Sequence, residues 1–292
     1  MEKVLVTGSC GFLGHHLVKE LKKRGFYVIG VDNLSGSTDE YANFADLFWK
    51  VDCGDLEAED LKGIKWVFHT AALPRVPYSI EFPLETNHAN VTETLKLLMA
   101  ARDAKVEKFI YSSSSSVYGD QKEFPTSEEA HVSPLSPYAV QKLAAEHYTE
   151  VFREVYNLPT VSLRYFNLYG EEQRADNPYT GVITKFIQMN HENKHLTIFG
   201  DGEQRRDFTY VGDVVEANLL TAEKGLGVYN VGTGTNTSVK EIAEIISDQE
   251  LSYLPPRLGD PKLSLADNKK LLTLGWTSTV DLKQWLRENK TS

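Results

Sequence analysis

The sequence predicts an α/β protein: a doubly wound parallel sheet with helices on both faces, followed by a smaller C-terminal α/β lid. Three observations predict it. Short apolar runs alternate with helical stretches over the first 170 residues, the rhythm of a parallel sheet with right-handed crossovers. A turn with three glycines, Thr7-Gly8-Ser9-Cys10-Gly11-Phe12-Leu13-Gly14, joins the first strand-like run to the first helical one. An acidic residue, Asp32, closes the second strand-like run.

Each element has its own warrant. Val4-Leu5-Val6 reads as a short buried strand. His15 to Arg24 reads as a helix with Leu17 and Leu21 on one face, ended by Gly25. Tyr27 to Val31 is the next strand. Lys65 to Phe68, Phe109 to Tyr111 and Val161 to Arg164 are further strands, and Val91 to Arg102 and Tyr138 to Tyr156 are helices between them. After Gly170 the rhythm changes. Gln173 to Thr180 reads as a loop, and Leu196 to Phe199 with Gly200-Asp201-Gly202 as a strand and a turn. Thr237 to Ile246 reads as a helix, with Ser238 and Glu241 in a capping pattern. Pro255-Pro256-Arg257 is a rigid extended piece. The expected domains are 1–170 for the sheet and 171–292 for the lid, with a segment near 207–232 returning to the main sheet through Gly227 to Val231.

Composition narrows the function classes. A chain of 292 residues can form one large domain or two closely packed ones. With 41% hydrophobic and 25% charged residues it reads as an ordinary globular protein. No apolar run approaches a membrane span. A net charge of −10 argues against nucleic acid and anionic membranes, though not against a small anionic ligand. Met1 to Val6 enters a strand-like run with no signal-peptide pattern. Cys10 and Cys53 give no disulfide framework. A reducing cytoplasmic setting is the expectation.

The glycine turn suits a dinucleotide. Gly8 permits a tight turn, Gly11 lets the backbone approach a pyrophosphate, and Gly14 lets the helix pack closely on the sheet. The helix start then offers N–H groups and a positive dipole end to phosphates. Gly-x-x-Gly-x-x-Gly departs from the principal fingerprint Gly-x-Gly-x-x-Gly. The context of strand, turn, helix and Asp32 carries the Rossmann-type reading. A carboxylate at Asp32 accepts hydrogen bonds from ribose hydroxyls and repels a 2′-phosphate, so NAD is favoured over NADP.

A second constellation carries chemistry. Ser112 to Ser116 precede Val117-Tyr118-Gly119. Ser136-Pro137-Tyr138-Ala139-Val140-Gln141-Lys142 then places a Tyr and a Lys at i and i+4, on one helix face. Ser136 is a natural N-cap and Pro137 a natural first residue. A phenol is a poor base at neutral pH, and a nearby ammonium favours its phenolate. Tyr118 to Lys122 repeats the spacing as a decoy, since Gly119 and Asp120 make a helix there unfavourable.

With these residues in place, the chain resembles the extended short-chain dehydrogenase/reductase family, in its nucleotide-sugar epimerase branch around UDP-glucose 4-epimerase. The likeness covers Thr7 to Gly14, His69 to Ala72, Asn90-Val91, Ser112 to Gly119, Tyr138 to Lys142 and Arg164 to Gly170. It continues through Gly200 to Gly202, Arg206 to Phe208, and Arg257 with Gly259-Asp260. The resemblance implies that Ser114, Tyr138 and Lys142 are catalytic. It implies cofactor contacts from Gly8, Gly11, Phe12, Leu13, Gly14, Asp32, Asn33, Asp52, Cys53, Ala71, Ala72, Asn90 and Ser112, besides Tyr138 and Lys142. Asn167, Arg206, Arg257, Asp260 and Ser264, with Ser114, would face the substrate, the arginines clamping its diphosphate. Glu93 departs from the family, which usually has Gly after Asn-Val-x, and this puts the helix packing near Asn90 in doubt.

The implied reaction inverts C4 of a nucleotide sugar through a transient 4-keto sugar, with no net redox change. Dehydratase and decarboxylase relatives carry an acid beside the catalytic serine, where this chain has Ser115-Ser116. The family's aromatic gate falls at Ser264. A small residue there, with Val76 to Ile80 resembling N-acetylhexosamine-accepting epimerases, implies UDP-GlcNAc/UDP-GalNAc as well as UDP-Glc/UDP-Gal. The family also implies a homodimer built on the Val91–Arg102 and Tyr138–Tyr156 helices. The competing readings are a dehydratase or reductase of the same family and, in another class, a non-catalytic NAD-binding regulatory protein. His191-Glu192-Asn193-Lys194-His195 matches a zinc-hydrolase pattern, but Asn193 and Lys194 read as a helix end, and no metal is expected.

Overall fold

The computed structural model describes residues 1–175, 180–256 and 262–290. Seven strands form one parallel sheet. Their order is Gly227–Val231, Thr160–Tyr165, Lys108–Ser114, Ile64–His69, Lys3–Thr7, Tyr27–Val31 and Leu47–Trp49. The chain moves from Lys3–Thr7 outward to Leu47–Trp49, then crosses to Ile64–His69 on the other side. The switch point therefore lies at the end of Lys3–Thr7, where ligands bind in doubly wound sheets. Thr7 pairs with Val31 on one side and His69 on the other, and His69 pairs with Tyr111.

Sequence dictates these strands through burial. Val4, Leu5 and Val6, and likewise Val67 and Phe68, are all 0% exposed. Near-continuous apolar runs are what strands covered on both faces require. The first strand leads through the glycine turn into the helix Phe12–Lys23, which starts three residues before the pattern implied because Gly11 is its N-cap. The helix expected from Val91 begins at Glu93, and a π-helical turn, His88–Thr92, precedes it. The long helix Pro137–Tyr156 ends at Asn157 in the left-handed conformation.

By packing, the chain divides into two compact units. One comprises Met1–Val117, Pro134–Arg164 and Val215–Tyr229; the other comprises Tyr118–Ser133, Tyr165–Val214 and Asn230–Ser292. The second has its own core, with Ile183, Phe186, Ile198, Ile242 and Leu286 among its buried residues. Short strand pairs stiffen it: Arg205–Arg206 with Thr237–Ser238, and Thr197–Phe199 with Ser252–Leu254. Ser238 caps the helix Val239–Ile246, its side chain accepting from the Glu241 amide. Among the described residues, no helix is long and apolar enough to cross a membrane.

Candidate active site

The glycine turn is built by close approach. Gly8 has φ +67°, and a Cβ there would lie 2.7 Å from the Ala71 amide nitrogen. A Cβ on Gly14 would lie 1.9 Å from the Gly8 carbonyl oxygen, so helix and turn pack with no room for a side chain. The helix Phe12–Lys23 has no side-chain cap and no acidic residue in its first turn. Phe12 and Leu13 are its first two residues, so this helix start can receive a dinucleotide's phosphates.

Asp32 is buried beside the turn. Its Oδ2 accepts from the Cys10 amide at 3.0 Å, and its Oδ1 accepts from the Leu34 amide at 2.8 Å and Ser37 Oγ at 2.9 Å. A carboxylate offers about four acceptor directions, so one remains on Oδ2 for a ribose hydroxyl. Asn33 donates to Asp52 Oδ1 at 2.5 Å, which links two of the expected contacts. Cys10 and Cys53 are free thiols. Burial, with nearby carboxylates, raises them to about 11 and about 12, so both stay protonated.

Glu93 resolves the packing doubt. It is 5% exposed, and its Oε2 accepts from the Gly54 amide at 2.8 Å while Oε1 pairs with Lys96 at 3.0 Å. A Cβ on Gly54 would fall 2.1 Å from Glu93 Oε2. The carboxylate fits because its partner position has no side chain, and it braces the Cys53–Asp55 turn.

A directed chain of hydrogen bonds ties the turn to neighbouring loops. Thr94 Oγ1 donates to the Asn90 carbonyl at 2.9 Å. Its one hydrogen is thereby used, so His69 Nε2 donates to Thr94 at 2.8 Å. His69 Nδ1 then accepts from Thr7 Oγ1 at 2.7 Å, and Thr7 accepts from the Ala71 amide at 3.4 Å. Burial, then the Lys142 charge, push His69 down to about 3, so the ring is neutral, as this chain requires. Asn90 clasps Leu73, accepting from its amide at 2.8 Å and donating to its carbonyl at 3.2 Å and to Gln141 at 2.9 Å. One amide hydrogen of Asn90 thus holds the chain just beyond Ala71 and Ala72, and the other ties it to Gln141 on the long helix.

Ser114, Tyr138 and Lys142 come together. Ser114 ends the strand Lys108–Ser114 and stands near enough to the Tyr138 phenol to favour its phenolate. Lys142 Nζ donates to the Ser112 carbonyl at 2.8 Å and lies 5.0 Å from the centre of the Tyr111 ring and 6.0 Å from that of Tyr138. Burial pushes the Tyr138 phenol up to about 12, Ser114 opposing, and pushes Lys142 down to about 7. The sequence led us to expect Lys142 to lower the phenol. Burial is the larger effect, because the ammonium faces the rings and a carbonyl.

One turn further along the helix, Glu146 accepts from Ser113 at 2.5 Å and from Arg164 at 2.6 Å. This pair is buried on both sides, with side chains 7% and 4% exposed, and it fixes the serine run against the helix. The decoy is resolved as well. Tyr118 lies in a 3-10 turn and donates to Asn230 Oδ1 at 2.6 Å. His191 ends its helix, and His195 bonds the Glu250 carbonyl beyond it, so the zinc-like motif shares no helix face.

The second unit brings Asn167, Arg206 and Ser264 onto one framework. Asn167 Nδ2 donates to the Asp207 carbonyl at 2.8 Å, and the Ser264 amide donates to the Arg205 carbonyl at 3.0 Å. Arg206 stands between those two carbonyls in sequence and is 8% exposed. The fully buried Asp207 carboxylate accepts from the amides of Thr233, Gly234 and Ala266 at 2.8, 3.0 and 3.1 Å. Arg257 and Asp260 lie outside the described residues.

Sequence reasoning gave no role to Ser79, Thr94, Gln141, Glu146 or Asp207. The spacing 138, 142, 146 was the available signal for Glu146: polar residues at i+4 on the face that meets the sheet.

The family described as "NAD dependent epimerase/dehydratase family" matches residues 4–232. A putative UDP-glucose 4-epimerase of Methanocaldococcus jannaschii is 35% identical, over 98% of this chain and 99% of its own length. Two solved structures are similar over 99% of this chain and 97% of theirs. One is a UDP-N-acetylglucosamine 4-epimerase from Methanobrevibacter ruminantium in complex with UDP-N-acetylmuramic acid (39% identity, TM-score 0.93). The other is a UDP-glucose 4-epimerase from Thermotoga maritima with UDP-glucose (38% identity, TM-score 0.94). A side-chain-free cradle at a helix start, an acidic residue closing the next strand and a buried Tyr–Lys pair beside a half-buried Ser114 thus stand on a sequence matched nearly end to end, and the chain belongs to the NAD-dependent epimerase/dehydratase family.

Proposed function

We propose that the protein inverts C4 of a UDP-sugar, acting on UDP-Glc/UDP-Gal and on UDP-GlcNAc/UDP-GalNAc. The observation that carries this reading is the buried Tyr138 phenol on Ser114, with Lys142 against the same ring. Gly8, Gly11 and Gly14 cradle the dinucleotide, and Asp32 selects its unphosphorylated ribose. Bound NAD supplies a reversible hydride acceptor. Ser114 hydrogen-bonds the sugar 4-oxygen, and Tyr138 takes the 4-hydroxyl proton. A neutral phenol beside an ammonium can become a phenolate beside an ammonium, a pair in which each charge relieves the other's burial. The proton goes back to the 4-oxygen when the 4-keto sugar is reduced from its other face. Asn167 and Arg206 hold the diphosphate as a handle through this step.

Ser115 and Ser116 beside Ser114 offer no carboxylate for elimination, which supports epimerisation over dehydration. Ser264 stands where the resemblance places an aromatic gate, and its small side chain supports acceptance of an N-acetyl group. A homodimer is part of this reading. Val140, Tyr148, Val151 and Val155 are 51%, 37%, 45% and 63% exposed and lie on one face of the long helix, an apolar stripe suited to a second copy.

The test is incubation with UDP-GlcNAc and, separately, UDP-Glc, without added reductant, followed by proton NMR. Appearance of UDP-GalNAc and UDP-Gal, abolished by Tyr138→Phe, supports the reading. Turnover that survives Tyr138→Phe overturns the assignment of the base.

A further inference from the structure

Tyr138 has two anchors, and the second was assigned by nothing in the sequence. Ser114 lies beside its phenol and favours the phenolate. Its backbone N–H donates to Ser79 Oγ at 3.1 Å. Ser79 belongs to a different helix, Val76–Glu81, and is 0% exposed.

The start of the long helix explains why that acceptor matters. Helix starts leave backbone N–H groups without partners. Pro137 has no N–H, and Ser136, the N-cap, takes the amide of Ala139 at 3.2 Å. The remaining buried amide in this first turn is that of Tyr138 itself. Ser79 can take it with a defined lone pair, because the hydroxyl hydrogen of Ser79 is committed to the Val76 carbonyl at 2.7 Å. The segment is fastened to the same helix one turn on, where Gln141 Nε2 donates to Thr86 Oγ1 at 2.9 Å. Gln141 Oε1 there accepts from Asn90.

We propose that Ser79 is a positioning residue for the general base: it fixes the main chain of Tyr138 so that the phenol stays on Ser114. It acts through Tyr138 and touches no reacting atom. The proposal rests on Tyr138 being the proton acceptor. It gives a function to a residue of the 76–80 run that is independent of sugar selectivity.

The test compares NAD-loaded Ser79→Ala with NAD-loaded Ser136→Ala. Both remove a cap hydrogen bond from the same helix end, but only the first frees the Tyr138 amide. For Ser79→Ala the expectation is faster hydrogen exchange at that amide and about a tenfold loss of kcat per NAD-loaded site, with KM within about twofold, the range a sub-ångström misplacement produces. Ser136→Ala is expected to lose comparable stability and keep kcat within about twofold. If Ser79→Ala does not fold, Ser79→Cys, with a weaker acceptor of similar size, is read the same way. A kcat within about twofold of wild type in the Ser79 variant overturns the proposal. Equal losses in both variants also overturn it, since they would report fraying of the helix end. Turnover in Tyr138→Phe would sink the base assignment instead, leaving the amide-exchange result for Ser79 intact.

Discussion

His69 should make the fold acid-labile by an amount that follows from its environment. The ring is 1% exposed and neutral, with Nδ1 accepting from Thr7 and Nε2 donating to Thr94. Burial holds its folded pKa at about 3, against 6.5 for the free side chain. Between those values the unfolded chain binds a proton that the native state refuses, so stability falls as pH drops below about 6.5 and recovers as pH rises. Taking the unfolded ring as half protonated near pH 6.5, the step from pH 7 to pH 5 costs about 2 kcal/mol, at 1.36 kcal/mol per unit of separation. The perturbation is His69→Gln, which keeps a donor for Thr94 and removes the titration. The assay is urea unfolding at pH 7, 6 and 5 for both proteins. The variant should be less stable at pH 7, for lack of the Thr7 acceptor, yet lose about 2 kcal/mol less between pH 7 and 5. Taking the difference between the two proteins cancels the other carboxylates and histidines. Parallel pH profiles would refute the reasoning, because they would mean that His69 titrates alike in both states.

Two further outcomes follow from close contacts. Gly54→Ala should destabilise by about 1–3 kcal/mol, the usual cost of overpacking, because its Cβ would meet Glu93 Oε2. Gly54→Ala combined with Glu93→Gly should lose less than the sum of the two single losses in calorimetry, and additive losses would deny the contact. Ser264→Tyr should cut kcat/KM for UDP-GlcNAc about a hundredfold while changing that for UDP-Glc less than threefold, measured in parallel. Such a contrast is the size a single steric clash with the acetamido group can produce.

Much of this architecture was legible from local patterns. Val4-Leu5-Val6, the glycines and Asp32 announced a strand, a turn and the end of the next strand, because each of those features is imposed by neighbours in sequence. Tyr138 and Lys142 were legible because a proline and a serine fixed the start of their helix. Other elements were not. The edge strand Leu47–Trp49 is three residues long and half exposed, so it has no periodicity to read. The helix Val211–Lys224 carries Val211, Val214 and Val215 at its start, which suit a strand as well, so its beginning has no clear period to read. The site's supporting bonds were the least visible. Asn90 reads as a cofactor contact from the resemblance, but its amide hydrogens are spent on Leu73 and Gln141, partners 17 and 51 residues away. The pKa of Tyr138 was misjudged for a related reason. Spacing shows that a lysine is near, but only the packing shows how far burial outweighs it.

The central claim is that a hydride leaves C4 and returns to C4. The most direct measurement uses UDP-glucose carrying deuterium at C4, converted without added reductant or cofactor recycling, with the product analysed by NMR and mass spectrometry. The account predicts UDP-galactose that retains the deuterium at C4. Deuterium displaced to C6 with loss of water would mean a dehydratase, and deuterium lost to solvent or trapped on released cofactor would mean that C4 is not restored within one turnover; either result contradicts the account.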